Sequence, residues 1–300
     1  MANLKKSLRS FGVVIFATAL GLGFAWLAGS TGQDLAGIPV LAVCAIMAFA
    51  VNWIAFVPAA IAQTEKFYDL IGSLTYITMI AVACLLSHDF GLGTKLDTRA
   101  IVVAIMVVVW AARLGTFLFI RISNDGGRDS RFDKIKVNPP RFLVAWTLQA
   151  VWTIITASAA LAIITASDRV PLGVFFWLGA AIWVVGFGIE VVADKQKSAF
   201  KADPANKGKF INVGLWRWSQ HPNYFGEIML WTGVVVMALP VLSGWSFVVL
   251  SSPVFIYLLL TKISGINLQE QSSKSKWGDD PAYQEYRRKT PKLVPMPPRS

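Results

Sequence analysis

The chain is a succession of apolar runs, most of them long enough to cross a bilayer, separated by short polar segments. A helical crossing of the hydrocarbon core takes about 20 predominantly apolar residues. Inside that core every backbone N–H and C=O has to be satisfied within the protein, so a chain that keeps returning to lipid folds as α-helices or a closed barrel, and runs of this length are helical. The runs lie at about 11–28, 37–62, 70–87, 99–120, 142–166 and 171–193. A last stretch, about 225–263, is too long for one crossing, and Pro240 with Ser243-Gly244 divides it into a helical hairpin. The first run follows Lys5, Lys6 and Arg9 as a signal peptide would, but Leu27-Ala28-Gly29-Ser30 is a poor cleavage context, so the run is read as a retained helix. The expectation is one all-α polytopic membrane domain over 1–300. It is a bundle of seven to eight transmembrane helices enclosing a cofactor cavity that faces the cytoplasm.

Charge supports that reading. Only 15% of residues are charged, against roughly 25% in soluble domains. Of the 28 Lys and Arg, 24 fall in segments on the N-terminal side of the membrane, three (Lys95, Arg99, Arg169) on the other, and Arg113 lies within a run. Such a split puts both termini in the cytoplasm. The net charge of +11 is spread over loops, and no basic–aromatic nucleic-acid motif accompanies it. Anionic membrane lipids or an anionic cofactor are therefore the expected partners, not nucleic acid. Cys44 and Cys84 sit inside apolar runs, and His88 reads as a loop residue, so no disulfide framework and no metal site are expected.

Ionisable groups gather most densely between 190 and 231. A polar, basic loop with Glu190, Asp194, Lys195, Lys197, Lys201, Lys207 and Lys209 runs into Ser219-Gln220-His221-Pro222-Asn223-Tyr224-Phe225-Gly226-Glu227 and Trp231. Pro222 punctuates a helix start and Asn223 is the expected cap. Glu190 and Asp194 share a helix face, as do Glu227 and Trp231. Arg113, deep in the fourth run, and these acids are costly in lipid unless they pair or face a cavity. Three basic segments, 121–141, 194–217 and 262–292, could form the mouth of such a cavity and converge on phosphates. No P-loop and no G-x-G-x-x-G after a strand is present, so a dinucleotide would be held by side chains from helix ends and loops. Glu65, Tyr68, Asp69 and Tyr76 begin the third run; an acid or phenol in apolar surroundings can donate a hydrogen bond to a carbonyl.

The run from Asp194 to Trp231, with Asn223-Tyr224-Phe225-Gly226-Glu227-Ile228, resembles the C-terminal half of the steroid 5α-reductase family, above all its bacterial members. The tail from Tyr283 and Tyr286 through Thr290 to Val294-Pro295 is similar to that family's ending, and the resemblance is best over 190–296. It implies an enzyme of a bacterial inner membrane, a monomer, in which NADPH gives hydride to the C=C of a 3-oxo-Δ4 steroid or similar lipophilic enone. It also implies cofactor contacts from Arg113, Arg121, Asp194, Lys201, Lys209, Asn223, Glu227, Trp231, Asn267 and Glu270. Lys201 and Lys209 stand where the family has Arg, a point charge for a bidentate fork. The family's catalytic Glu–Tyr pair does not align: Trp110 occupies the Tyr position, and Glu65, Asp69 or Tyr68 would supply the carbonyl-activating group. There is one span more than the family's seven. Related His-Pro-x-Tyr forms occur in isoprenylcysteine methyltransferases, so a membrane methyltransferase using S-adenosylmethionine is the alternative. The surplus of cations leans towards the more highly charged NADPH. A transporter would show repeat symmetry and broken helices, and neither stands out.

Overall fold

A computed structural model describes residues 2–87, 97–124, 126–168 and 170–297. His88, Gly91, Gly93, Lys95, Asp125, Arg169 and Arg299 lie outside the described residues. The chain is an all-α polytopic membrane protein: among the described residues, eight helical stretches are long and apolar enough to cross a membrane. It divides into two compact units, Met1–Gly173 with Ala238–Ser251, and Val174–Met237 with Ser252–Ser300.

The first unit holds α1 (Ala2–Ala28), α2 (Val40–Ile61), α3 (Tyr68–Leu86), α4 (Thr98–Asn124) and α5 (Pro139–Ile164). All four other helices pack on α5, as does the 3-10 segment Gly244–Ser251. The composition of α5 explains why it is central. Residues 153–165 are continuously buried, and Thr153, Thr156, Ala157, Ser158, Ala159 and Ala160 let neighbouring helices approach closely. Two of the hydroxyls are satisfied locally, Thr153 donating to the Ala150 carbonyl at 2.9 Å and Ser158 to that of Ile155 at 2.7 Å. Asn138 caps the helix by accepting from the Arg141 N–H, with Pro139 in the first turn. Between α1 and α2 the chain makes a two-residue hairpin, β1 (Asp34–Leu35) against β2 (Ile38–Pro39), turning through Ala36 and Gly37 at positive φ.

The second unit holds α6 (Val174–Ala202), α7 (Pro222–Ala238), α8 (Ser252–Leu258), α9 (Gly265–Trp277) and α10 (Pro281–Lys289). Its first two helices meet through glycines spaced seven apart in each. A Cβ on Gly186 would lie 2.7 Å from the Gly226 carbonyl oxygen, and one on Gly233 would lie 2.5 Å from that of Gly179. The pairing 179 with 233 and 186 with 226 makes α6 and α7 antiparallel, with backbones in contact at two levels. Small residues give membrane helices this approach. The contact sets Glu190, whose backbone faces Gly226, beside the first turn of α7.

Several sequence expectations are corrected. Glu190 and Asp194 share a helix face as expected, but Lys195, Lys197 and Lys201 are also on that helix, not in a loop, because α6 continues nine residues past 193 on good helix formers before Asp203 and Pro204 stop it. Asn223 is not a cap: Pro222 opens α7, as its fixed φ and missing N–H suit a first helical position. The Asn223 amide is instead directed at Asp194. The hairpin breaks where expected, in the 3-10 turn Leu239–Val241 and at Gly244 with φ +52°. The charged segment beyond 264 is helical, as α9 and α10. A π-turn, Leu259–Ile263, precedes α9.

Candidate functional site

The site is built within the second unit. On α6, Glu190, Asp194, Lys197 and Lys201 are spaced four, three and four apart and form one stripe. Glu190 and Asp194 are buried, and further along the stripe the lysines emerge. The 3-10 turn Gly214–Arg217 is fastened to this helix. Trp216 Nε1 donates to the Ala193 carbonyl at 3.0 Å, the Leu215 N–H to Gln196 Oε1 at 2.9 Å, and the Lys197 ammonium lies 4.7 Å from the centre of the Trp216 ring. Asn223 Nδ2 donates to Asp194 Oδ1 at 3.3 Å, while Asn223 Oδ1 is buried with no hydrogen-bond partner among the described residues.

Just before α7, Ser219 donates to the Leu293 carbonyl at 2.7 Å and accepts from the His221 N–H at 3.1 Å. His221 stacks on Tyr224, centroids 5.7 Å apart and planes 12° off parallel. The Tyr224 hydroxyl accepts from Gln269 at 2.6 Å, and its ring lies against Gly265, where a Cβ would come within 2.8 Å. Glycine at 265 thus lets α9 approach α7.

These elements surround a cavity of about 230 Å³. Lys197, Lys201, Lys209 and Lys276 supply positive charge to its wall, and among the described residues Glu270 is the one acid lining it. Trp216, Phe210, Trp277, Tyr283 and Tyr286 supply aromatic surface. Phe210 meets the rings of Tyr283 and Tyr286 at 5.1 and 5.4 Å between centroids, and Tyr286 donates to the Trp216 carbonyl at 2.6 Å. Burial pushes the Tyr286 phenol up, with Tyr283 adding to it, so it stays a neutral donor. His221 also lines the cavity, and its Nδ1 is buried without a partner among the described residues. Burial, then the charges of Lys197, Lys292 and Arg287, lower its pKa to about 3. The imidazole is therefore neutral and can accept a hydrogen bond.

That depressed value gives a pH signature. Below about pH 6.5 the unfolded chain protonates this histidine and the folded chain does not, so stability falls as pH drops towards 3, by about 1.4 kcal/mol per unit. Thermal melts from pH 7 to 4.5 are expected to show this slope in the parent chain and to lose this component in His221→Gln. Equal slopes would contradict the burial.

Lys201, Lys209 and Glu270 are brought together on the cavity wall, and Asp194 and Asn223 are hydrogen-bonded to each other. Glu227 and Trp231 follow on α7, both buried. Asn267 does not line the cavity; its amide donates to the Lys262 carbonyl. Arg113, Arg121, Glu65, Tyr68 and Asp69 belong to the first unit. There Arg113 lies over Phe117 at 5.2 Å. Glu65 is buried, accepting from Lys136 Nζ at 2.7 Å and from the Asp129 N–H at 2.7 Å. Tyr68 donates to the Ala145 carbonyl at 2.9 Å and packs between Phe132 and Trp146. Asp69, in the first turn of α3, feels the charges of Arg131, Arg121 and Asp129. Burial opposes ionisation of Asp129, but the Arg131 fork and Arg121 hold its carboxyl below the usual range. Lys276, Trp277 and Trp216 were not singled out from sequence. The signal was there for α9, since Gln269, Ser272, Ser273 and Lys276 recur at helical spacing.

Fold and site together define a multi-pass, all-α membrane protein with a lysine-lined, aromatic-walled cavity in its second unit. The chain belongs to the family described as "Protein of unknown function (DUF1295)", which matches residues 55–290. It is 24% identical over 239 residues to an uncharacterized protein of Schizosaccharomyces pombe, covering 69% of this chain and 66% of that protein. It is 39% identical over 77 residues to steroid 5-alpha-reductase DET2 of Gossypium hirsutum, covering 25% of this chain and 28% of that one. The chain thus spans just under two thirds of the first relative and little more than a quarter of the second. No solved structure matches it.

Proposed function

We propose that this chain is an NADPH-dependent membrane reductase acting on the C=C of a lipophilic enone such as a 3-oxo-Δ4 steroid. The observation that carries the reading is the cavity of the second unit, with four lysines, an aromatic wall and a neutral, unpartnered His221 Nδ1. The likeness to a protein named steroid 5-alpha-reductase supplies the reaction class. Lys197, Lys201, Lys209 and Lys276 would neutralise phosphates, Phe210, Trp277 and Tyr283 would flank a base, and His221 would accept from an amine or hydroxyl. The volume suits one nucleotide half, as whole-ligand pockets run to roughly 300–1,000 Å³. Asp194 and Asn223, with Glu227 one turn on, would hold the rest. When bound, NADPH supplies the hydride. The groups expected to polarise the carbonyl, Glu65, Tyr68 and Asp69, lie in the first unit, where Glu65 is held by Lys136 and Tyr68 by the Ala145 carbonyl. The charge asymmetry supports cytoplasmic termini; the bacterial inner membrane and the monomeric state belong to this proposal through the family resemblance alone.

The test is calorimetric titration of the purified protein with NADPH and, separately, S-adenosylmethionine. Saturable NADPH binding is expected, weakened about tenfold by Lys201→Gln or Lys209→Gln, the scale of one charge-assisted hydrogen bond. NADPH-dependent loss of enone absorbance should accompany it. Binding of S-adenosylmethionine in place of NADPH would move the chain to the methyltransferases.

A further inference from the structure

A second cavity of about 280 Å³ lies within the same unit and shares two wall residues, Gln220 and Glu270, with the first. Its other lining is cationic and hydroxylic: Arg287, Arg288, Lys292 and Thr290. The segment carrying them is strapped down. Gln220 Nε2 donates to the Arg287 and Thr290 carbonyls at 3.1 and 2.7 Å, its N–H to the Pro291 carbonyl at 2.9 Å, and Ser219 to that of Leu293. Arg288 is forked onto Glu285, which does not line the cavity. Arg287 at 3.2 Å and Lys292 at 2.9 Å share a single oxygen of Glu270. One carboxylate therefore faces two cations across the partition, and positive charge is left over on the cavity side. On that fixed backbone the Arg287 guanidinium and the Lys292 ammonium are the donors that suit a phosphomonoester, while the Thr290 hydroxyl is directed at the Arg217 carbonyl.

We propose that this second cavity receives the 2′-phosphate of the nucleotide held in the first, and that Arg287 and Lys292 set the preference for NADPH over NADH. The inference rests on the nucleotide reading of the first cavity. It adds the residues that discriminate. Gln220 and Glu270 line both cavities, so a group bound in one lies against the wall of the other.

The test uses the full chain in detergent, with 2′,5′-ADP and 5′-AMP as calorimetric probes. The parent chain is expected to bind 2′,5′-ADP at least about tenfold more tightly, the scale of one charge-assisted contact. Arg287→Gln with Lys292→Gln should remove that preference and leave 5′-AMP binding unchanged. Lys292→Gln alone, at a side chain 52% exposed, guards against a folding defect and should lower the preference several-fold. A preference that is absent in the parent, survives the double substitution, or falls equally for both probes overturns the inference. So does a double variant that loses binding to phosphatidate-containing vesicles while its nucleotide preference stands, since the phosphate read would then be a lipid headgroup. NADPH and NADH titrations separate the two failures. If neither dinucleotide binds the parent, the reductase reading falls. If both bind and the substitutions leave their ratio unchanged, this inference alone falls.

Discussion

Glu65→Ala is expected to destabilise the first unit by about 3–5 kcal/mol, the range for breaking a buried ion pair by removing one partner. Glu65 is 1% exposed and joins the α2–α3 connection to the 126–138 segment through Lys136 Nζ and the Asp129 N–H. Its removal leaves Lys136, 18% exposed, without its buried counter-charge, and leaves the Asp129 N–H without its acceptor. Asp129 and Arg131, whose carboxylate and guanidinium pair at 2.8 Å, lose the anchor that positions them. Thermal unfolding followed by size exclusion should show a fall of several degrees. Glu65→Leu with Lys136→Met should recover most of it, because removing both charges leaves none buried alone. If the single substitution is neutral, the pair is not what holds this segment.

The second large effect is expected at the glycine contacts of the second unit. Gly226→Leu places a side chain where the Gly186 carbonyl oxygen and the Glu190 N–H already stand, 2.6 and 2.7 Å from the new Cβ. Both obstacles are backbone, so the helices must separate rather than adjust a rotamer. The cost should be about 3 kcal/mol or more, the upper end for overpacking. Separation would also carry Asn223 away from Asp194. Folded yield, and NADPH affinity in whatever folds, should drop together. Gly188→Leu on the facing helix α6, where a Cβ meets nothing within 4 Å, is the control and should be tolerated. Equal behaviour of the two variants would show that the close approach is not needed.

The glycine contacts show where reading the sequence stops. Apolar run length placed the spans to within a few residues for α2, α3 and α5, because lipid imposes a fixed thickness and leaves the backbone no other partner than itself. It misjudged α6, whose last nine residues leave the apolar run while the helix goes on: hydropathy marks where a helix can contact lipid, not where it ends. Pro222 was read correctly as punctuation. The role given to Asn223 was not, because its amide faces Asp194 on another helix, 29 positions away, and takes that tertiary partner over the local cap. The seven-residue spacing of Gly179 with Gly186, and of Gly226 with Gly233, was available in the sequence. That the two pairs meet was not.

What the amino-acid order determined by itself is the class of architecture, the place of most spans, and the clustering of charge between 190 and 231. These follow from one-dimensional quantities: run length, helical period and the cost of charge in hydrocarbon. Only the tertiary structure decided which charges share a space. Lys201 on α6, Lys209 in the segment after it and Glu270 on α9 line one cavity although Glu270 is some 60 to 70 positions from the two lysines. Glu65, alike in sequence to a catalytic acid, was claimed by Lys136 across a separation of 71. Pair interactions depend on distances of a few ångströms, and those distances are set by how helices pack rather than by any property of a helix alone.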